Sequence, residues 1–342
     1  MLIIRLATEN DIPAVAHFAE LLHGKLNSLP MDKRVIAHKI QRSCISVEQD
    51  IISPYNELYF FVMEDTEKQS IVGCAAIDAC VGLKPFYAFR IAQFEHISHE
   101  QNFRRKVKLL ELNTELDGST ELCSLYLLPE YRKKNNGKLL SLSRLMFMAI
   151  FPKRFSDRVF ADIRGYSEED EDPPFWKHVI KPFMPFDFME AETLTGLEKR
   201  QFIIDLMPKF PICVNLLPPS AQAAIGRSHP TTASAKTMLE RQGFHFHDYV
   251  SIFDAGPTVM SFINNIHIMN ERRFVMVTGV NIPPAHTHTL LSQKKYLLAT
   301  TTNSFRVALE EAQIEDDEVI ISSESAKNLG VDVGDTLCVF NI

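Results

Sequence analysis

The sequence predicts an α/β chain: a mixed, mostly antiparallel sheet flanked by helices, then a second α/β segment and a small β-rich C-terminal domain. Three observations carry this reading. The early part of the chain reads β-α-α-β-β-β by its hydrophobic periodicity. A dense apolar strand, Glu121–Leu128, then runs through a short polar loop straight into a long amphipathic helix, Gly137–Phe151. Beyond Gly256 the pattern breaks into short strands. The expected units are 1–180, 181–260 and 261–342.

Taken in order, Leu2–Leu6 reads as a strand, and Thr8-Glu9-Asn10-Asp11 supplies a helix cap in which the Thr8 hydroxyl would accept an amide. The helix carries an apolar stripe through Ile12, Val15, Phe18, Ala19 and Leu22, and a second helix covers Asp32–Ser43. Leu58–Glu64 and Ile71–Val81 form a hairpin, with a further strand at Phe86–Phe94. After the strand–loop–helix come a strand at Arg158–Ile163, an acidic loop at Glu168–Asp172 and a short aromatic helix at Phe175–Val179. Helices follow at Glu198–Met207, Ser220–Ile225 and Thr232–Gln242, with a strand at Tyr249–Phe253. The tail shows strands at Arg273–Thr278, Tyr296–Thr301 and Thr336–Phe340, and Glu318–Asp335 reads as strand, short helix and turn.

Bulk properties narrow the class. The chain has 342 residues, 46 % of them hydrophobic, enough for a sizeable core. Its net charge of −7, from 36 basic and 43 acidic residues, argues against a nucleic-acid partner, which would need a basic face. The six cysteines (Cys44, Cys74, Cys80, Cys123, Cys213, Cys338) are scattered through apolar runs and read as reduced core residues; no zinc spacing occurs. MLIIRLATEND lacks the layout of a signal peptide, and no window of about 18 apolar residues is present, so neither secretion nor a membrane span is expected. A cytoplasmic protein is the expectation.

The chemistry concentrates in Glu121–Ala149. A helix N-terminus offers unpaired amides and partial positive charge, a natural cradle for a diphosphate. Arg132, Lys133, Lys134 and Lys138 surround that point, and Gly137 allows close backbone approach. The loop does not match GxxxxGK[ST]. It resembles the pyrophosphate loop of the GNAT superfamily of acyl-CoA N-acyltransferases, Arg/Gln-x-x-Gly-x-Gly/Ala, with Arg132 and Gly137 at the first and last positions. Asn135 stands where the first glycine is expected, and Asn tolerates the left-handed backbone better than most residues.

Ordered blocks along the chain resemble the arginine N-succinyltransferase family. They include IRLATENDI, NSLP at Asn27–Pro30, PFYAFR at Pro85–Arg90, ELCSLYLLPEYR at Glu121–Arg132 and NGKLLSLSRLMFMA at Asn136–Ala149. IRG at Ile163–Gly165, PFW at Pro174–Trp176, DLMPKFPI, IGRSHPTT at Ile225–Thr232 and the run from Gly243 to Thr258 follow. The glycine-rich stretch before SLP is thinned to HGKLN, and the chain beyond about 260 matches only loosely. The resemblance implies transfer of succinyl from succinyl-CoA, a cosubstrate and not a resident cofactor, to the α-amine of L-arginine in arginine catabolism. Composition and spacing point to no metal, no nucleic acid and no membrane; related enzymes are homo- or hetero-oligomers, and the oligomeric state of this chain stays open.

The resemblance also implies roles for particular residues. Leu125 would contact succinyl-CoA through its main chain, with Arg132, Asn135, Asn136, Gly137 and Lys138 at the diphosphate. His229 would donate a proton to the leaving thiolate; an imidazole titrates near neutrality and suits that step. His96 and His99 form a rival pair that could face together on a helix beside Glu95, and His286 and His288 read as exposed. Cys123 adjoins the proposed CoA strand but has no neighbouring base, so it reads as core. Asp162, Glu168, Asp254 and Glu95 are candidates for the guanidinium, and Arg90, Arg164 and Lys25 for the succinyl carboxylate. Ornithine, another acyl-CoA, and a non-catalytic subunit with this fold stay open as alternatives.

Overall fold

The computed structural model describes residues 1–23, 26–168, 171–281 and 294–342. The first strand, β1 (Leu2–Leu6), buries Ile3 in one cluster and Ile4 in another, as strand alternation requires. Its following turn is closed by Asp11, whose Oδ2 accepts from the Thr8 amide at 2.8 Å and hydroxyl at 3.0 Å. The cap read from the sequence is present as a Thr8–Asp11 capping box, and the Thr8 hydroxyl also donates to Asp11, whose carboxylate is held by Arg5 at 2.7 Å. Helices α1 (Ile12–Leu21) and α2 (Lys33–Glu48) follow, the latter capped by Asp32 accepting from the Arg34 amide at 2.9 Å.

Strands β2 (Leu58–Asp65) and β3 (Ser70–Asp78) pair as a hairpin, and β4 (Ala88–Ser98) and β5 (Phe103–Asn113) form a second, longer one. The outer half of that second hairpin is exposed on both faces, which hid β5 from a periodicity reading. Next come β6 (Thr120–Leu127), α3 (Asn136–Ile150) and β7 (Arg158–Asp162). From Leu139 to Ala149 every α3 residue is buried, so this helix lies inside the fold.

A largely helical stretch then contains α4 (Phe188–Gly196), α5 (Gln201–Leu206), β8 (Ile212–Cys213), α6 (Pro219–Ala224) and α7 (Ala233–Glu240). It returns through β9 (His245–Ser251), β10 (Pro257–Phe262) and α8 (His267–Glu271). The C-terminal part comprises β11 (Arg273–Asn281), β12 (Lys295–Thr300), β13 (Arg306–Glu311), β14 (Gln313–Glu315), β15 (Glu318–Ser322), α9 (Ser323–Leu329) and β16 (Thr336–Asn341). The sequence reading had missed α4, β10 and β13.

Among the described residues one 16-stranded sheet runs β14-β15-β11-β16-β12-β13-β1-β2-β3-β6-β7-β10-β9-β4-β5-β8. Every neighbouring pair is antiparallel except β6–β7 and β11–β15. β13 docks on β1 in the register Ile3↔Ala308, and Leu297, Val307 and Phe340 join the cluster that buries α3. The tail therefore shares its core with the N-terminal strands.

Beyond β7 and before β10, two glycines lie back to back. A Cβ on Gly256 would meet the Ile163 carbonyl oxygen at 2.0 Å and the Gly165 nitrogen at 2.5 Å. Asp254 ties the crossing, its two oxygens accepting from the Gly165 amide at 2.6 Å and the Gly256 amide at 2.9 Å. Substituting Gly256→Ala should therefore lower unfolding free energy by about 2 kcal/mol or more, read from urea titration. An unchanged midpoint would show that the two backbones can separate without cost.

Candidate active site

β6 and β7 start as a parallel pair and then part. Their register holds only at Thr120↔Val159 and Glu121↔Phe160, so β6 from Leu122 onward has a strand partner on the β3 side alone. On that side β6 carries a bulge: Cys74 opposes Tyr126 and Ala76 opposes Cys123, leaving Ser124 and Leu125 across from a single residue. Ser124 has φ +53°, the local backbone twist that the extra residue demands. Leu125 thus lies in the bulge, on the stretch of β6 that has no strand partner on the β7 side.

The gap between the parting strands opens into a cavity of about 250 Å³. Its floor is Leu122–Leu125 of β6 and Ala161–Arg164 at the end of β7; α4 and α7 supply Glu192 and Ala235. The Asn27–Ser28 loop closes one side and is pinned to the bulge. The Ser124 amide donates to Ser28 Oγ at 3.0 Å, Ser124 Oγ donates to the Ser28 carbonyl at 2.9 Å, and Lys39 from α2 donates to the same carbonyl at 2.7 Å. Gly196 allows that loop its place: a Cβ there would lie 2.7 Å from the Asn27 carbonyl oxygen.

At the far end of β6 the chain turns into α3. Arg132 is anchored there, Nε donating to the Leu127 carbonyl at 2.8 Å and its guanidinium lying 5.6 Å from the Tyr126 ring centroid. Asn136 Nδ2 donates to the Tyr131 carbonyl at 3.0 Å, fixing the first helical residue. The left-handed residue of this loop is Lys134, at φ +53°; Asn135 has φ −107°, which any residue adopts. The backbone reason offered for Asn135 therefore falls on its neighbour. Nothing lies within 4 Å of a Cβ built on Gly137, so the first turn of α3 is open to a ligand, with amides that no helical carbonyl can reach. Lys138 is half-buried beside Arg241, and burial with that like charge holds its pKa below the usual lysine value.

His229 arrives from a different part of the chain. The stretch after β7 continues as a short bridge, Gly165↔Ser228, flanked by the Tyr166 amide donating to the Arg227 carbonyl at 3.0 Å and the His229 amide donating to the Arg164 carbonyl at 2.8 Å. This fixes His229 next to Arg164 and Thr232, both of which line the cavity. Its Nδ1 accepts from the Thr231 amide at 3.2 Å and lies 2.7 Å from the Thr231 hydroxyl. With Nδ1 so occupied, a neutral imidazole carries its proton on Nε2, and the ring becomes a proton donor once it has taken up a second proton.

The cavity is rich in carboxylates. Burial pushes Glu121 up to about 8 and Asp162 up to about 6, each reinforced by a second carboxylate, Asp162 beside Glu121 and Asp254 beside Asp162. Asp162 is enclosed by protein yet presents accessible surface to the cavity, and it accepts from the Thr258 hydroxyl at 2.5 Å. Glu192 is pushed up to about 8, again by burial and by Asp254. Thr195 Oγ1 and Arg200 Nε, also on the lining, are buried without a hydrogen-bond partner among the described residues.

These positions sort the candidates. Asp162 and Arg164 are in the cavity. Asp254 lines it too, but both its oxygens are spent on the glycine crossing. Arg90 is exposed and paired with Glu115 at 3.3 Å, Glu168 is exposed, and neither lines the cavity. Lys25, His286 and His288 lie outside the described residues. His96, with Glu95, is on the exposed outer half of β4, and His99 is in the following turn, so the helical pairing of the two histidines is wrong. A strand of mixed exposure mimics helical spacing too easily. Cys123 lines the cavity with its thiol pushed up to about 12 by burial, unsuited to a nucleophile. Glu121, Glu192, Thr195, Arg200 and Arg144 were not singled out beforehand. Only Arg144 carried a readable signal, as the one charge in an otherwise uncharged run of Leu, Ser, Met and Phe after Lys138.

A parallel strand pair that splays beside a bulge, on a strand that leads through a basic loop into a helix with an open first turn, is the architecture of an acyl-CoA-dependent transferase. Comparison with known proteins gives the family. The model described as arginine N-succinyltransferase beta subunit matches residues 2–268, and that for its C-terminal domain matches 288–341. An arginine N-succinyltransferase of Enterobacter sp. (strain 638) is 36 % identical over 323 residues, 92 % of this chain and 94 % of that protein. One from Yersinia pestis (strain Pestoides F) is 34 % identical over 346 residues, 100 % of this chain and 98 % of that protein. The solved structure of arginine/ornithine succinyltransferase subunit AI from Pseudomonas aeruginosa superposes with a TM-score of 0.89 at 33 % identity, covering 100 % of this chain and 98 % of that one. The chain belongs to the arginine N-succinyltransferase family. No helix among the described residues is long and apolar enough to cross a membrane.

The raised carboxylates make a stability prediction. Glu121 keeps its proton in the folded protein where an unfolded glutamate, near 4.5, has lost it. Its contribution to stability is present below about 4.5 and is lost as pH rises through about 8. Glu121→Gln cannot lose that proton, so its melting temperature relative to the parent should climb between pH 5 and pH 8.5. Parallel melting curves for the two proteins across that range would show that Glu121 is not held protonated by burial.

Proposed function

We propose that the chain transfers the succinyl group of succinyl-CoA to the α-amine of L-arginine, a step of arginine breakdown by succinylated intermediates. The observation that carries this is one cavity lined both by Leu125 in the β6 bulge and by Glu121, Asp162 and Glu192. A thioester arm adding itself to β6 like a strand would bring its acyl carbon to the carboxylate-lined end, where a cationic amino acid is favoured.

In this reading the CoA diphosphate is held by the amides of Gly137 and Lys138, with charge from Arg132 and Lys138 and a polar edge from Asn135 and Asn136. Leu125 holds the pantetheine arm through its main chain. The neutral amine attacks the thioester carbonyl directly, since Cys123 stays a thiol. The C–N bond forms as the C–S bond breaks, His229 as imidazolium gives a proton to the departing CoA thiolate, and the surplus proton shed by the new amide nitrogen recharges the imidazole. Succinyl-CoA is a cosubstrate that comes and goes. A cytoplasmic location goes with the reaction, because CoA thioesters are made and consumed there. The segment 1–180 would form the CoA-handling unit, 181–260 would deliver His229, and 261–342 would be a buttressing domain. Ornithine is a second amine to weigh, because the P. aeruginosa relative is named for both amino acids.

The deciding assay follows CoA release from succinyl-CoA with arginine, ornithine, lysine or no amine, with the product identified by mass. Arginine-dependent release is expected; release with ornithine alone would keep the chemistry and change the acceptor. His229→Ala should cut turnover about 100-fold or more with CoA affinity unchanged, and undiminished turnover would remove His229 from the mechanism. Arginine binding should tighten as pH rises from 6 toward 8.5, because Glu121 must ionise to meet a cation. A flat profile in wild type would place the cation elsewhere.

A further inference from the structure

Arg144 is among the most deeply buried side chains of the chain, 2 % exposed, although it carries a charge. It lies in the middle of α3, with Leu, Ser, Met and Phe around it. Its contacts are few and long: Nε to the Ser141 carbonyl at 3.3 Å, Nη2 to Ser141 Oγ at 3.1 Å, and Nη1 to the Cys123 carbonyl at 3.4 Å. A guanidinium has five N–H donors, so these leave two unspent. Among the described residues no carboxylate comes within 4.0 Å of it. A buried cation without a counter-charge is costly, and proteins tolerate one where an anion completes it.

The other cationic side chains on the cavity are already balanced. Arg42 pairs with Asp78 at 3.3 Å, and Lys39 donates to the Ser28 carbonyl at 2.7 Å and feels the charge of Asp78, Glu121 and Glu198. Arg164 feels that of Glu192, and Arg200 that of Asp78, Glu121 and Asp162. Arg144 alone is opposed by burial with no carboxylate offsetting it, which draws its pKa down to about 10. Its position is also specific. Arg144 is seven residues, two helical turns, beyond Gly137, so both lie on one face of α3, separated by roughly 10 Å along the axis. That face looks onto Cys123 and the bulge of β6, and Arg144 lines the cavity there.

We propose that Arg144 is the acyl-specificity residue of this site, its buried guanidinium pairing with the distal carboxylate of the acyl group on CoA, so that a dicarboxylic monothioester is chosen over a neutral acyl chain of equal length. This rests on the reading of the chain as a succinyl-CoA transferase and adds to it the group that reads the acyl end. A guanidinium suits the task because its planar fork meets a carboxylate with two parallel hydrogen bonds. Burial sharpens the discrimination: butyryl-CoA, which has the same chain length and no carboxylate, would leave the cation unpaired.

The test compares binding of succinyl-CoA, butyryl-CoA and free CoA to wild-type protein and to Arg144→Met, with melting temperature and free-CoA affinity reporting that the fold and the diphosphate site are intact. Wild type should prefer succinyl-CoA to butyryl-CoA by about 100-fold or more, and Arg144→Met should reduce that preference to within about 5-fold, with butyryl-CoA affinity little changed. Should Arg144→Met fail to fold, Arg144→Lys decides: a point charge on a shorter reach should lower the preference at least about 5-fold. A wild type that binds both thioesters alike, a preference retained in the folded variants, or affinities for both thioesters falling together would overturn the assignment. Arginine-dependent turnover of wild type is measured in parallel. Its absence, with the binding preference intact and lost on substitution, would overturn the transfer reading and leave Arg144 as the acyl reader.

Discussion

The early end of the β6–β7 pairing is the constraint on which the rest depends. Two parallel pairs at Thr120 and Glu121 join the halves of the sheet, and the strands then part. Parting costs main-chain hydrogen bonds, and the chain recovers them in unequal ways. On the β7 side, Ile163 to Tyr166 finds new partners in Pro257 and the Arg227–His229 strip, which is how the histidine is brought in. On the β6 side the bulge at Ser124 and Leu125 is supported only in part, by Ser28. The asymmetry leaves the β7-facing edge of β6 from Leu122 onward without a strand partner.

The cavity's charge pattern follows from the same geometry. Glu121 is the last residue of β6 paired with β7 and Asp162 the last residue of β7, so the splay begins between two carboxylates. Burial raises both pKa values, with Asp162 adding to the shift of Glu121 and Asp254 to that of Asp162, a cost that a bound cation would relieve. Asp254 adds to that repulsion although its own oxygens are occupied, because the Gly165–Gly256 crossing holds it in place. The structural clamp and the recognition surface thus share one carboxylate's field. Arg144, on the helix beneath, is kept from these acids by distance, which keeps its charge for a different ligand.

Much of the fold was legible in the residues. Regular alternation and strong caps located β1, α2, the β2–β3 hairpin, β6, α3 and β7 to within a few residues, because each buries one or both faces against the core. The misses share a physical cause. β5, and His96 and His99 around the tip of its hairpin, lie where the strands are exposed on both sides, and exposure removes the pattern that periodicity detects. α4 was hidden for a different reason: Asp187 caps it well, but Glu192, Thr195 and Gly196 turn inward toward the cavity, so its buried face is polar.

What the sequence by itself determined is the local chemistry: a strand feeding a basic loop and an open helix start at Gly137, a histidine held before a helix, and one unexplained arginine among apolar neighbours. These follow from neighbours in the chain, whose spacing is set by helix and strand geometry. What only the tertiary structure decided is which charges face one another. Glu121, Asp162 and Glu192 come from three separate elements, and Asp254 is withdrawn from recognition by glycines that lie far from it or beside it in the chain. Lys134, not Asn135, takes the left-handed turn. Such assignments depend on burial and on distances across the sheet, and neither is written in the order of residues along one strand or helix.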